Sequence, residues 1–257
     1  MHTILVTNDD GIHSEGLRVL RHALTTLGRA VVVAPDRDNS AVSHSLTMTR
    51  PLQVREIAPD TFTVDGTPTD CVILALGKIL DARPDLLISG INAGPNLGDD
   101  IAYSGTVSAA MEGTMYSIPS LAVSLAGSAP YDFAQAALLA RTVAAKILTT
   151  TLPPSTLLNM NVPEGDSHRG IRITRQGRRL WENSIQETAD PWGRKRYWIG
   201  GGTPVKETGD DTDVKAIQDG LVSITPIQLD LTNHSGLRHL RQTWDLPGLI
   251  PPDGDDR

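Results

Sequence analysis

The sequence predicts an α/β protein with a Rossmann-like, three-layer α/β/α architecture and a mostly parallel sheet, because strands and amphipathic helices alternate along it. Residues 4–6 and 30–34 are short, continuous apolar runs, which are typical of strands buried on both faces. Between them, residues 17–27 carry leucines at helical spacing, with Ser14 as the expected helix cap and Gly28 as a C-terminal stop. Strand, helix and strand in this order predict one right-handed βαβ unit.

The later elements continue this alternation. Alternating apolar stretches at 52–57 and 61–64 predict a β-hairpin at the sheet edge. We expect Thr69 to cap the next helix and Ser104 to cap a later one. The other predicted elements are strands at 85–89, 120–125, 156–162 and 221–227, and helices at 72–80, 133–148 and 237–244.

Three regions are predicted along the chain. Residues 1–176 form the Rossmann-like core, and residues 177–245 form an extension that includes the last strand and helix. The extension concentrates aromatic residues in a chain that is only 4% aromatic, which favours a segment that packs against a partner subunit or covers the active-site edge. Residues 246–257, rich in Pro, Gly and Asp, are predicted to be a disordered tail.

Composition excludes several classes of function. A formal net charge of -7 disfavours a protein that binds the backbone of a nucleic-acid polymer. The single cysteine, Cys71, excludes an intramolecular disulfide and a cysteine-rich metal site, and its apolar neighbours favour a core role. Since the sequence has no long apolar run and no basic leader before an apolar stretch, we expect a cytoplasmic protein without a membrane partner.

An acidic pair, Asp9 and Asp10, directly follows the first predicted strand. Taken alone, the sequence Asp-Asp-Gly favours a simple turn. Adjacent carboxylates repel each other, however, and the carboxyl ends of strands in open α/β sheets form the ligand-binding edge. The alternative is therefore a site for a hard cation that prefers oxygen ligands.

Two further polar residues follow strands that end at the same edge. Ser40 comes after the second strand, and Asn92 lies in a glycine-rich loop after the strand at 85–89. Together with Asp9 and Asp10 they offer two carboxylates, a hydroxyl and an amide oxygen, which suits an octahedral divalent cation such as Mg²⁺ or Mn²⁺ and leaves positions for water and substrate. A nearby group of His or Cys residues, which structural zinc needs, is missing from the pattern.

The sequence Ser104-Gly105-Thr106 opens a predicted helix. Its backbone N–H groups, its two hydroxyls and the positive end of the helix dipole would form a phosphate cradle, whereas the alternative is that Ser104 only caps the helix. The chain has neither a dinucleotide fingerprint nor a Gly-Lys-Ser/Thr phosphate loop, which disfavours hydride transfer and common nucleoside triphosphate hydrolysis. A cation beside an anion-binding helix predicts a phosphate ester as substrate, with the metal polarising the phosphoryl oxygen and deprotonating water.

Several motifs resemble those of the SurE family of metal-dependent phosphatases acting on nucleoside monophosphates, also named stationary-phase survival proteins. The resemblance covers the chain up to about residue 245. The matching motifs lie in the same order as in the family, at residues 6–11, 33–40, 66–71, 89–96, 103–107, 159–163 and 222–226.

The resemblance implies a role for each candidate residue. Asp9, Asp10, Ser40 and Asn92 would hold one Mg²⁺ or Mn²⁺ per subunit. Asn96 with Ser104, Gly105 and Thr106 would line the phosphate site, and Asp9, Asp10, Asn96 and Ser104 would form the catalytic set.

It also implies the substrates and the assembly. Nucleoside 5′- and 3′-monophosphates would be cleaved to nucleoside and phosphate, with short polyphosphate as a side substrate. A homodimer or homotetramer would form by exchange of C-terminal segments. Asp230 and His234 stand near that region, where they would steady the hinge or the active-site edge, although a plain surface role for His234 is equally compatible with the sequence.

Two rival functions share features with this sequence. A haloacid-dehalogenase-type phosphatase needs a nucleophilic Asp two positions before the acid–base Asp. Because Asn8 occupies that position relative to Asp10, this function is disfavoured. The other alternative is a non-enzymatic nucleotide sensor on the same scaffold, which the sequence alone does not separate from an enzyme.

Overall fold

The computed structural model describes residues 1–165, 168–179, 181–182, 184–200, 202–204, 209–246 and 250. The strands are β1 (His2–Thr7), β2 (Gly28–Pro35), β3 (Val54–Ala58), β4 (Thr61–Val64), β5 (Leu86–Ala93), β6 (Ser120–Ala126), β7 (Thr156–Pro163), β8 (Ile171–Ile173), β9 (Trp181–Glu182), β10 (Ile185–Ala189), β11 (Lys195–Ile199), β12 (Thr203–Pro204) and β13 (Val222–Gln228). The helices are α1 (Glu15–Leu24), α2 (Pro68–Leu74), α3 (Gly105–Met115), α4 (Ala134–Thr149), α5 (Asp213–Gln218) and α6 (His234–Thr243). A π-helical turn, Ala75–Ile79, extends α2, and a 3₁₀ turn, Gly98–Tyr103, precedes α3.

Over the described residues, the central sheet has nine strands in the order β3-β4-β2-β1-β5-β6-β7-β13-β8. Neighbouring strands from β4 to β7 are parallel, whereas β3 is antiparallel to β4 and β13 is antiparallel to β7. The predicted α/β fold class and the edge hairpin are therefore confirmed. The strand order reverses between β1 and β5, and such a reversal opens a crevice at the carboxyl ends of the strands.

The hydrophobic core lies on both faces of the sheet, as the continuous apolar strands predict. Ile4 and Val6 of β1 pack into a cluster with α1 and α4, while Leu5 packs into a second cluster with α2 and α3. Cys71 is completely buried in the second cluster, where burial raises the pKa of its thiol. Its predicted role as a small core residue is confirmed.

Helix caps agree with the sequence at two of three positions. The Ser14 and Ser104 hydroxyls accept hydrogen bonds from the N–H groups of Leu17 and Val107. The expectation that Thr69 caps α2 is wrong, because the helix begins at Pro68 and Thr67 is the cap. Thr67 and Asp70 form a reciprocal capping box, which satisfies two backbone donors at the helix start.

The sheet crosses the predicted boundary at residue 176. Strand β13, which lies in the predicted extension, pairs with β7 over six residues of the core. By contrast, β10 and β11 form a separate two-stranded sheet, and β9 and β12 form another. The division into core and extension stays a prediction, but β13 belongs to the central sheet. The predicted disordered tail, 246–257, lies outside the described residues except for Leu246 and Ile250.

Within the described ranges, the helices are all too short or too polar to cross a membrane.

Candidate active site

The four predicted metal ligands lie together at the carboxyl edge of the sheet. Asp9 and Asp10 follow β1, and Ser40 lies in the loop after β2. The prediction that Asn92 lies in a loop is wrong, because β5 continues to Ala93 and Asn92 lies near its end. β1 and β5 are the neighbouring strands between which the strand order reverses. A pocket of about 420 Å³ opens there, and the predicted residues that line it are Asp9, Asp10, Ser40, Asn92, Asn96 and Ser104.

Asp9 is buried against the first turn of α3 and is only 4% exposed. The N–H group of Thr106 donates to Oδ2 of Asp9 at 3.0 Å, and the Thr106 hydroxyl donates to Oδ1. A Cβ atom at Gly105 would lie 2.8 Å from Cβ of Asp9, so only glycine allows this approach. Burial raises the pKa of Asp9, and the hydrogen bonds from Thr106 oppose that rise.

Asp10 is half-buried beside Asp9. The N–H group of Ala93 donates to its Oδ2 at 3.1 Å. Burial, followed by the negative charge of Asp9, raises the pKa of Asp10 to about 6. Neither carboxylate has an ion-pair partner within the described ranges. A bound cation would compensate the charge of both carboxylates and offset the repulsion that contributes to the raised pKa of Asp10, so the residues fit such a group.

Ser40 and Asn92 offer oxygen atoms to the same pocket. The Ser40 hydroxyl donates to Oδ1 of Asp38 at 2.6 Å, and it keeps its lone pairs. Nδ2 of Asn92 donates to the Gly94 carbonyl at 2.8 Å, so its amide oxygen is the group left to act as a ligand. Among the described residues no three His, Cys, Asp or Glu side chains are grouped to hold a metal. A metal here would therefore depend on two carboxylates completed by neutral oxygen atoms.

Asn96 is held in place by a buried polar network. Its backbone N–H donates to Oδ1 of Asn161 at 2.8 Å, and its carbonyl accepts from Nδ2 of both Asn159 and Asn161. Its side-chain Nδ2 donates to the Ser124 hydroxyl at 2.8 Å. Because Asn159, Asn161 and Ser124 are completely buried, the network rigidly positions Asn96 at the pocket wall.

The three residues of the predicted phosphate cradle have different surroundings. Ser104 lines the pocket, and its Oγ accepts from the Val107 N–H at 3.0 Å. Gly105 and Thr106 are buried behind Asp9 and do not belong to the pocket lining in the described part of the chain. Their assignment as phosphate ligands stays a prediction, but the Thr106 donors bind the Asp9 carboxylate in this structure.

Sequence reasoning missed one wall of the pocket, which is formed by Asp100, Tyr103, Arg179 and Trp181. Nη1 of Arg179 donates to Oδ2 of Asp100 at 2.7 Å, and Nε1 of Trp181 donates to Oδ1 at 3.0 Å. The aromatic content of the extension was the available signal. One of the two roles predicted for the extension was to cover the active-site edge, and Trp181 of the extension lines the pocket at that edge.

Asp230 and His234 contact each other but do not line this pocket. Nε2 of His234 lies 2.8 Å from Oδ2 of Asp230, and both side chains are exposed. Hydrogen bonds from Thr232, and then the contact with His234, lower the pKa of Asp230 to about 2. The structure therefore separates this pair from the other predicted site residues.

We expect the substitution Gly105→Ala to destabilise the protein by about 1–3 kcal/mol, because the new methyl group overlaps Asp9. The matched control is Gly77→Ala, where the added Cβ meets nothing within 4 Å. Thermal unfolding measures the stability of both variants relative to the wild type. A Gly105→Ala variant as stable as the control would contradict the close contact between Asp9 and α3.

Comparisons with known proteins identify the family. The family model described as survival protein SurE matches residues 4–183. A relative from Syntrophotalea carbinolica, named 5′-nucleotidase SurE, is 53% identical over 95% of this chain and 97% of its own length. A relative of the same name from Geobacter metallireducens is 51% identical over 94% of this chain and 97% of its own.

A solved structure is similar to the fold described above. The crystal structure of the SurE protein from Aquifex aeolicus has a TM-score of 0.84 and 45% sequence identity, with 93% of this chain and 98% of that chain covered. The sequence motifs, the fold and the similarity over nearly the whole length agree. The chain belongs to the SurE family of survival proteins.

Proposed function

We propose that this protein is a metal-dependent phosphomonoesterase that hydrolyses nucleoside monophosphates to nucleoside and phosphate. The observation that carries the proposal is the pair of adjacent carboxylates, the buried Asp9 and the half-buried Asp10, in a pocket that is also lined by Ser104 and Asn96. The name 5′-nucleotidase, which the relatives from S. carbinolica and G. metallireducens carry, supports the reaction class.

Asp9, Asp10, Ser40 and Asn92 are the residues that would hold one Mg²⁺ or Mn²⁺ ion. These are hard oxygen donors, which such cations prefer. When bound, the ion supplies Lewis-acid chemistry, which polarises a phosphoryl oxygen and lowers the pKa of water.

The protein's own groups have separate roles in the proposed reaction. Both oxygens of Asp9 accept hydrogen bonds from Thr106, so Asp9 serves as a fixed anchor. Asp10 is more exposed and has one Oδ2 contact, from Ala93, which suits it to accept a proton from the attacking water. The Ser104 hydroxyl accepts from Val107 through a lone pair, so its O–H remains to donate to a phosphoryl oxygen.

The proposed reaction extends to 3′-monophosphates and short polyphosphates. The groups assigned above act on the cation and the phosphoryl group, and none of them needs a particular position of the ester on the ribose. The 5′ position has the further support of the relatives' names.

The alternative function is a nucleotide sensor that binds the same ligands without hydrolysis. Release of phosphate from AMP in the presence of Mn²⁺ separates the two functions. Binding of AMP without any phosphate release would favour the sensor.

We expect the substitutions Asp9→Asn and Asp10→Asn to lower kcat/KM for AMP by about two orders of magnitude or more, because each removes a negative charge from the cation site. Asp81→Asn is the control, since Asp81 is exposed and precedes β5 at the opposite edge of the sheet. Phosphate release is measured for all three variants, with circular dichroism to verify folding. Retained activity in both site variants would remove the metal assignment.

We expect metal removal with EDTA to abolish phosphate release, and Mn²⁺ or Mg²⁺ to restore it. Binding to the folded state also stabilises it, so added Mn²⁺ should raise the Tm of the wild-type protein but not that of Asp9→Asn. Full activity in the metal-free protein, or an equal rise in Tm for the wild type and Asp9→Asn, would argue against the cation site.

We also propose assembly as a homodimer or homotetramer through the extension. Trp198 and Ile199 of the β10–β11 hairpin are 70% and 90% exposed, and such exposure is unusual for two adjacent large apolar side chains. Sedimentation equilibrium should therefore give a dimer or tetramer for the wild type and smaller species for Trp198→Glu/Ile199→Glu. The control is Leu138→Glu on α4, which should keep the wild-type assembly. A monomeric wild type would contradict the proposal.

A further inference from the structure

We propose that Trp181, held by Arg179 and Asp100, is the stacking surface for the base of the nucleotide. The inference rests on the proposed function, and it assigns the part of the pocket that the phosphate groups leave unused. It makes Trp181 a specificity-determining residue that distinguishes nucleotides from other phosphate esters.

The size of the pocket is the first observation. At about 420 Å³, it lies in the range of cavities that hold whole small molecules. The residues proposed to bind the cation and the phosphate, Asp9, Asp10 and Ser104, line only part of the pocket. Trp181 and Tyr103, which are both aromatic, line the same cavity. An aromatic wall beside a phosphate site matches a ligand with a charged end and a flat ring.

The fixed orientation of the indole is the second observation. One carboxylate, Asp100, accepts from Nε1 of Trp181 at 3.0 Å and from Nη1 of Arg179 at 2.7 Å. Cζ of Arg179 lies 4.6 Å from the centroid of the Trp181 ring, so the guanidinium covers one face of the ring. Trp181 nevertheless remains 41% exposed. The ring is thus pre-organised for stacking before any ligand binds.

The attachment of this wall to the phosphate end is the third observation. The N–H group of Arg179 donates to Oδ2 of Asp99 at 2.7 Å, and Nε2 of Gln176 donates to the Gly98 carbonyl at 2.8 Å. Gly98 begins the 3₁₀ turn that leads directly into Ser104. One short turn therefore connects the indole to the proposed phosphate ligand.

The chemistry predicts tolerance of different bases. Both oxygens of Asp100 already accept hydrogen bonds from the wall itself, so this carboxylate is not a reader of base edges. Stacking on an aromatic ring requires only a π-face, which every base has. The larger purine rings should bind more tightly than pyrimidines, because they cover more of the indole.

The test compares AMP with ribose 5-phosphate, which has the same ester but no base. With the full chain and Mn²⁺, Trp181→Ala should lower kcat/KM for AMP by about 5- to 150-fold, the range of one base–aromatic stack. Hydrolysis of ribose 5-phosphate should stay within about twofold of the wild type, and Trp181→Phe should recover most of the loss for AMP.

Trp192→Ala provides a matched control. Trp192 is also exposed and also lies under an arginine, Arg194, with Cζ 5.1 Å from the ring centroid, but it does not line the pocket. The Trp192→Ala variant should hydrolyse AMP and ribose 5-phosphate with the kcat/KM of the wild type. Equal losses for AMP and ribose 5-phosphate in Trp181→Ala would indicate a structural or subunit-contact role and overturn the proposal, as would an unchanged kcat/KM for AMP.

Binding measurements separate this proposal from the proposed function. If the wild type hydrolyses neither ester, calorimetry with Mn²⁺ still gives the dissociation constants of AMP and ribose 5-phosphate. Tighter binding of AMP that Trp181→Ala abolishes supports the stacking surface even though the enzyme assignment fails. Equal binding of the two esters by the wild type overturns it.

Discussion

The contact between Asp9 and the first turn of α3 determines how the rest of the site is arranged. Asp9 closely follows β1, an inner strand of a sheet that is covered on both faces, so its carboxylate is buried and costly to ionise. The Thr106 N–H and hydroxyl, at the positive end of the helix dipole, offset part of that cost. Gly105 is required because any side chain there would occupy the position of the Asp9 side chain.

Helix α3 also supports the loop that carries Ser40. Near the middle of the helix, Oε2 of the buried Glu112 lies 2.7 Å from Nε2 of His44. In the 3₁₀ turn that precedes the helix, the Ala102 carbonyl accepts a hydrogen bond from the Ser43 hydroxyl at 2.7 Å. Helix α3 therefore holds Asp9, and the helix together with the preceding turn holds the Ser40 loop, so the ends of β1 and β2 converge on one pocket.

The parts of the fold predicted from the sequence depend on local patterns. Buried strands, the Ser14 and Ser104 caps and the position of Asp9, Ser40 and Asn92 near the carboxyl ends of neighbouring strands follow from periodicity and from the geometry of parallel sheets. Thr106 could not be assigned to Asp9 in this way, because either a phosphate or a carboxylate satisfies the same helix start. Nor does a sequence pattern link Arg179 to Asp100, since their contact depends on how an irregular segment packs.

The pocket holds carboxylates of two kinds, and their partners divide it into two regions. Asp100 accepts hydrogen bonds from a guanidinium and an indole, so its charge is compensated within the protein. Within the described part of the chain, Asp9 and Asp10 accept hydrogen bonds only from neutral donors, and burial, followed by the negative charge of Asp9, raises the pKa of Asp10. A cation would therefore bind most favourably at Asp9 and Asp10, because the negative charge of Asp100 is already paired with Arg179. Another part of the pocket wall is the uncharged indole of Trp181, on which a flat ring packs more favourably than an ion does.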